Sequence, residues 1–254
     1  MTAGGDPAER FDGRVALYLK HRPRYPSRLL DVLRRDAGLT RDAVVADVGS
    51  GTGLLSELFL DNGNVVYCVE PNPEMRAAAE GRLGRYPGFR TVPGRAEATT
   101  LPDRSVSVVA AAQAFHWFEP SAARTEFARI LVPDGMVALV WNRRLTATPF
   151  EQAYERLLRD FGTDYEKVRH ENIGEEDLAA FFGASPRRAE LPNNQDLSYE
   201  GLEGRLLSAS YMPAAGDPRC EPVVRELRGL FRRYERGRRV RLGYQTEVFW
   251  GRLV

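Results

Sequence analysis

The sequence predicts an α/β fold: a doubly wound, mostly parallel sheet with an antiparallel last strand, covered by a helical lid. Three observations carry this expectation. Short apolar runs alternate with helical runs up to about residue 145. A glycine-rich loop joins the first apolar run to the helix after it. Beyond that point the alternation gives way to helical segments between two final strand candidates.

The elements follow in order. Arg14–Lys20 reads as a short helix, broken by the two prolines of HRPRYP (His21–Pro26). Ser27 is the expected N-cap of a helix from Arg28 to Ala37, which Gly38 stops. AVVADV (Ala43–Val48) is a buried strand, LLSELFLDNG a helix ending at Gly63, and VVYCVE (Val65–Glu70) a second strand. PEMRAAAEGRL is helical, FRTVPG a weak third strand and SVSVVAAAQA a fourth. ARTEFARIL is a helix, PDG a turn and MVALVWN (Met136–Asn142) a fifth strand. Buried strands alternating with helices argue for a parallel sheet covered on both faces. FEQAYERLLRDFG, EEDLAAFFG, Glu200–Ser208 and Pro222–Arg236 read as helices. PRRAELP is an edge-strand candidate, and YQTEVFWGRLV alternates as a last strand. The chain divides into an N-terminal cap (1–40), a core (41–145) and a lid with the final strands (146–254).

Composition narrows the functional classes. With 254 residues, 43% of them hydrophobic and 28% charged, the chain can bury a sizeable core. A net charge of +1 offers no global field for nucleic acid or an acidic membrane. Two cysteines, Cys68 and Cys220, suggest no disulfide framework. Met1 to about Glu9 is small and polar and is expected to be mobile. No signal-peptide pattern and no membrane-length apolar run is visible, so a soluble, cytoplasmic protein is expected. Three histidines and two cysteines without ligand spacing suggest no metal site.

The informative segment is ADVGSGTGLLSELF. Gly49, Gly51 and Gly53 allow a tight turn and close backbone approach to a ligand. A dinucleotide loop would place its third glycine at Leu54, one residue later. Asp47 also stands two residues before the first glycine. A carboxylate there would repel a pyrophosphate but attract an ammonium group. S-adenosylmethionine carries an ammonium group and a sulfonium. Glu70, ending the second strand, is where a ribose diol is held in related sites.

The segments YLKHRPRYP, VADVGSGTG, VEPNPEM, GRAEATTLPDRSVSVVAAAQAFHWF and ALVWNRR, spanning Tyr18–Arg144, carry a resemblance. The chain resembles class I S-adenosylmethionine-dependent methyltransferases of the type 11 group, and within it the trans-aconitate methyltransferase-like members. The resemblance implies a Rossmann-like fold. It implies that Asp47 and the Gly49–Ser50–Gly51–Gly53 loop hold the methionine part, and Glu70 the ribose. Pro71 and Met75 would flank the adenine, the Ala96 N–H and Glu97 would read its edge, and Gln113 would line the site. Arg95 departs from the pattern, since many relatives have an acid there.

Weaker candidates surround this core. Tyr18, Arg22 and Tyr25 are candidates for lid contacts over the cofactor. His116 is a candidate base or hydrogen-bond donor, with Trp117 beside it; both also fit a simple wall role. Arg143 or Arg144 could clamp a carboxylate, and Tyr211 and Met212 could line the acceptor pocket. Arg228, Arg232 and Arg236 would share a helix face, which reads as solvated; nucleic acid is not the expected partner. The expected activity is methyl transfer to a small molecule, with a carboxylate in view, at a carboxyl or hydroxyl oxygen. Another reaction of the cofactor, such as a cyclisation, or RNA or protein methylation, are the alternatives. The expected assembly is a monomer or homodimer.

Overall fold

The computed structural model describes residues 14–163, 165, 173–213 and 217–254. The expectation for Met1–Glu9 lies outside the described residues. Seven strands form one sheet: β1 (Val44–Val48), β2 (Val65–Val69), β3 (Phe89–Val92), β4 (Val106–Ala112), β5 (Leu131–Arg144), β6 (Arg187–Leu197) and β7 (Val240–Gly251). Their order is β3-β2-β1-β4-β5-β7-β6. The pairs from β3 to β5 are parallel, while β7 runs antiparallel to both β5 and β6.

The helices are α1 (Val15–His21), α2 (Arg28–Asp36), α3 (Leu54–Asp61), α4 (Pro73–Leu83), α5 (Pro120–Ile130), α6 (Pro149–Phe161), α7 (Glu175–Phe182), α8 (Tyr199–Leu207) and α9 (Cys220–Tyr234). Local chemistry sets several starts. Asn72 caps α4 by accepting the Met75 N–H at 2.9 Å, with Pro73 already in helical position. Thr148 and Glu151 close a reciprocal capping box at α6.

Side-chain alternation along the strands feeds two layers. Val45, Val66, Val108 and Val140 pack with Leu29 and Leu33 of α2 and Phe59 of α3. Val48, Val69, Val109 and Leu139 pack on the opposite face with Phe127 of α5 and Phe181 of α7. A third apolar cluster joins α6, α8 and α9 to Leu242 and Tyr244 at the start of β7. The β6–β7 ribbon therefore serves two cores: its later residues Val248 and Trp250 belong to the first layer. This is the expected doubly wound sheet with an antiparallel last strand.

Several local expectations are corrected. Ser27 has helical dihedrals (φ −58°, ψ −26°) and makes no side-chain cap bond to α2. The PDG segment does not separate helix from strand. Asp134 takes φ 67° inside β5, and the β4–β5 register shifts between Val106 and Val108, so the strand runs through it. The edge strand continues past Pro192 to Leu197, where Pro192 is tolerated because the strand is at the sheet edge. The last strand starts at Val240 and stops at Gly251. The last helix ends at Tyr234, so Arg236 does not share its face; Arg236 sits in a bridge with Arg239.

Candidate functional site

Strand order reverses between β1 and β4, and a crevice opens where the two strands end. A cavity of about 330 Å³ lies there. A larger, open depression of about 650 Å³, lined by Asp36, Ser107, Pro133 and Trp250, sits at the other end of the parallel strands.

Of the residues expected at the start of the site, Gly49 and Gly51 line this cavity, while Asp47, Ser50 and Gly53 lie behind its wall. Asp47 shares the strand face of Val45, is 1% exposed, and accepts the Ser56 hydroxyl at 2.5 Å through Oδ2. Its other oxygen, Oδ1, is buried without a hydrogen-bond partner. Burial, and then the nearby Glu70 charge, push its carboxyl up to about 7, against the Ser56 hydrogen bond. Such a group is half neutral near pH 7 and gains from an incoming cation.

The glycine loop follows. Gly49, Gly51 and Gly53 have φ of 66°, 55° and 77°. At Gly49 a Cβ would stand 2.6 Å from the Ala114 Cβ, and at Gly53 one would meet the Leu83 Cδ1 at 2.4 Å. These two positions need glycine for both dihedral and contact. At Gly51 a Cβ would meet nothing within 4 Å.

Glu70 follows β2 and is 8% exposed. It accepts the Gly51 N–H and the Asn72 N–H, each at 2.9 Å. Each oxygen keeps a lone pair for a further donor. Burial raises its pKa, partly offset by those two amides. Pro71 and Met75 continue the wall from here into α4. From the opposite side come Arg95, Ala96 and Glu97, and one Glu97 oxygen accepts the Glu119 N–H at 2.8 Å. Gln113, at the end of β4, adopts φ 54° and donates to the Asn142 carbonyl at 3.2 Å. A left-handed non-glycine residue is a strained backbone position, of a kind that clusters at functional sites.

The other expected residues divide. Tyr18 and Trp117 line the cavity. Ser50 and Thr52 hold buried hydroxyl oxygens without partners in the same loop. Arg22 is not in the wall; its guanidinium stacks 4.8 Å from the Tyr18 ring. His116 is outside the lining, on a short 3-10 turn (Phe115–Trp117), its ring 4.7 Å from that of Trp117. Arg143 is paired with Glu247 at 3.1 Å and does not line the cavity. Met212 is buried in the third core, and Tyr211 packs on Tyr165 at 4.9 Å between ring centres. Neither lines the cavity. Phe118 and Glu119 do, and sequence reasoning missed them; their only signal was their place just after the fourth strand. Among the described residues no cluster of three or more metal-ligating side chains occurs, and no helix is long and apolar enough to cross a membrane.

The fold is shared with solved methyltransferases. The chain aligns with a proposed type II methyltransferase from Anaeromyxobacter dehalogenans at a TM-score of 0.67 and 22% identity, covering 92% of this chain and 98% of that one. It aligns with a SAM-dependent methyltransferase from Aquifex aeolicus at a TM-score of 0.51 and 15% identity, covering 92% and 97%. Residues 46–139 match the Methyltransf_11 family model, which describes a methyltransferase domain.

An uncharacterised methyltransferase of Mycobacterium tuberculosis is 38% identical over 139 residues, which is 55% of this chain and 54% of that protein. The chain thus spans about half the length of the mycobacterial relatives it matches. An uncharacterised methyltransferase-like protein of Schizosaccharomyces pombe is 27% identical over 243 residues, 94% of this chain and 93% of that one.

Proposed function

We propose that this chain transfers a methyl group from S-adenosylmethionine to a carboxyl or hydroxyl oxygen of a small molecule. The observation that carries the reading is Asp47: a buried carboxylate with one unpartnered oxygen under a left-handed glycine loop. That donor set fits an ammonium-bearing ligand. Bound there, S-adenosylmethionine supplies a methyl group on a positively charged sulfur.

The residues of the chain then divide the work. Asp47 and the Gly49–Gly53 loop, with Ser50, hold the charged amino-acid end. Glu70, pinned by two amides, directs its free lone pairs at a ribose diol. Pro71 and Met75 pack one side of the base, and Ala96 and Glu97 face its edge. Gln113 and Tyr18 close the cavity near the reacting end, and Trp117 narrows it. Arg22 backs Tyr18. These residues exclude water and fix the line of approach, which supplies much of the rate of such a displacement. An acceptor carboxylate needs no base. For a hydroxyl acceptor His116, next to Trp117, is the candidate base.

Calorimetry tests the cofactor first. The demethylated product, S-adenosylhomocysteine, should bind, and Glu70→Ala should weaken it by about ten- to a hundredfold. No binding of either cofactor form sinks the reading. A screen of small acids and phenols with labelled S-adenosylmethionine then tests transfer. Binding without labelled product from any of them would move the chain to another reaction of the same cofactor.

A further inference from the structure

Three arginines from three elements gather behind Tyr18, which lines the cavity. Arg22 directly follows α1, Arg144 ends β5, and Arg205 lies on α8 and is 4% exposed. Arg144 donates through Nη2 to Glu155 at 2.9 Å and to the Tyr165 hydroxyl at 2.6 Å. Arg205 donates through Nε to the Tyr244 hydroxyl at 3.2 Å. Arg22 donates to the Ser208 carbonyl at 3.0 Å. Among the described residues Glu155 is the one carboxylate paired with any of the three. The Nε atoms of Arg22 and Arg144 are buried without an acceptor.

Two guanidinium charges thus lack a carboxylate counterpart in the described protein. Tyr211 reports the excess. Burial alone raises a phenol's pKa, yet Arg144, Arg205 and Arg22 together outweigh it and draw Tyr211 below its ordinary value. Arg22 suffers the converse: burial first, then the charge of Arg205, lowers it. Buried cations are normally paired, and among the described residues Arg22 and Arg205 have no carboxylate partner.

We infer that Arg22, Arg144, Arg205 and Tyr211 form an anion subsite that holds a carboxylate of the acceptor, one that is not itself methylated. The inference rests on the methyltransferase reading. The held group is not the reacting one, because none of the four residues lines the cofactor cavity; Arg22 reaches it only by stacking on Tyr18, which does line it. Guanidinium forks suit carboxylate and phosphate alike. A carboxylate is preferred here because no backbone amide cradle is offered among the described residues. The end of α8 and the turn after it present carbonyls instead: Ser208 to Arg22, and Leu207, Ala209 and Met212 to Arg14. The subsite explains how one acid would be selected among many, and the product would keep its anchoring charge.

The test is calorimetry on protein saturated with S-adenosylhomocysteine, titrated at millimolar levels with succinate, its neutral diamide, and inorganic phosphate. Succinate should bind, and the diamide should not. Tyr211→Phe, Arg144→Lys and Arg205→Met should each raise the succinate dissociation constant by about tenfold or more. Affinity for S-adenosylhomocysteine should be retained in each, which also shows that the variant has folded; Tyr211→Phe, which preserves the ring, carries the test if Arg205→Met does not. Failure of S-adenosylhomocysteine to bind would overturn the methyltransferase reading. If it binds, then no succinate binding, equal binding of the diamide, a preference for phosphate, or unchanged affinity in Tyr211→Phe and Arg144→Lys would each overturn the subsite alone.

Discussion

At the scale of single residues, the proposed ammonium role of Asp47 would set stability against binding. Its carboxyl is pushed up to about 7 by burial and then by Glu70, whereas in the unfolded chain it titrates at about 4. The folded state therefore holds the extra proton between those values, and stability falls as pH rises from about 4 to 7. Above 7 the free protein bears the whole cost, on the order of 2–4 kcal/mol. Asp47→Asn keeps an acceptor for Ser56 and removes the charge. Its free form should be more stable than the parent at pH 8, read by chemical denaturation, while S-adenosylhomocysteine affinity drops at least about tenfold. The parent's affinity should rise from pH 6 to pH 8 as Asp47 ionises. An affinity flat across that range in calorimetry would remove Asp47 from the ammonium site. Asp47 was legible because its neighbours in the chain define it: two residues before a glycine loop, on a strand. Arg205 and Tyr244 were not. They are 39 positions apart in the chain, and no local pattern marks a helix arginine that will be buried against a strand tyrosine.

At the scale of elements, α5 holds the loop that carries Ala96 and Glu97. Glu126 on α5 accepts the Thr99 N–H at 2.8 Å and the Thr99 hydroxyl, and pairs with Arg129 at 2.7 Å. Arg129 first, then Thr99, hold its carboxyl down at about 2. With the folded value depressed, its contribution is present above about 4.5 and is lost as pH falls toward 2. Glu126→Gln should destabilise the protein by about 1–3 kcal/mol at pH 7. The difference from the parent should shrink between pH 4.5 and 2, measured by urea denaturation at several pH values. A constant difference would mean that shape, not charge, is at work. Strand–helix alternation was readable because each element buries an apolar face with its own period. Boundaries were less so. Ser27 has the right residue type for a cap but adopts helical dihedrals, and the PDG segment is absorbed into β5 through the left-handed Asp134. Tertiary pairing decided both.

At the scale of the molecule, the β6–β7 ribbon ties the two halves of the chain together. β7 inserts between β5 and β6, so the sheet that begins at β1 is completed only by the last strand. Leu139, Val140 and Trp141 of β5 are buried with Val248 and Trp250 of β7 across the two faces, with Phe249 packed half-buried against them. The register pairs Val137–Arg144 with Tyr244–Gly251, which satisfies the backbone of β5 along that edge. A chain cut after residue 145 keeps the glycine loop, Glu70 and Gln113, yet loses that strand and the cover over Trp141. It exposes a long apolar edge, which templates association. We therefore expect residues 1–145 alone to give no cooperative thermal transition and to aggregate, while the full chain melts with sheet and lid together. Circular dichroism and light scattering on both would decide it. A soluble 1–145 fragment that melts cooperatively and binds S-adenosylhomocysteine would show instead that the cofactor domain is autonomous, and that the ribbon serves only to attach the lid and its arginines.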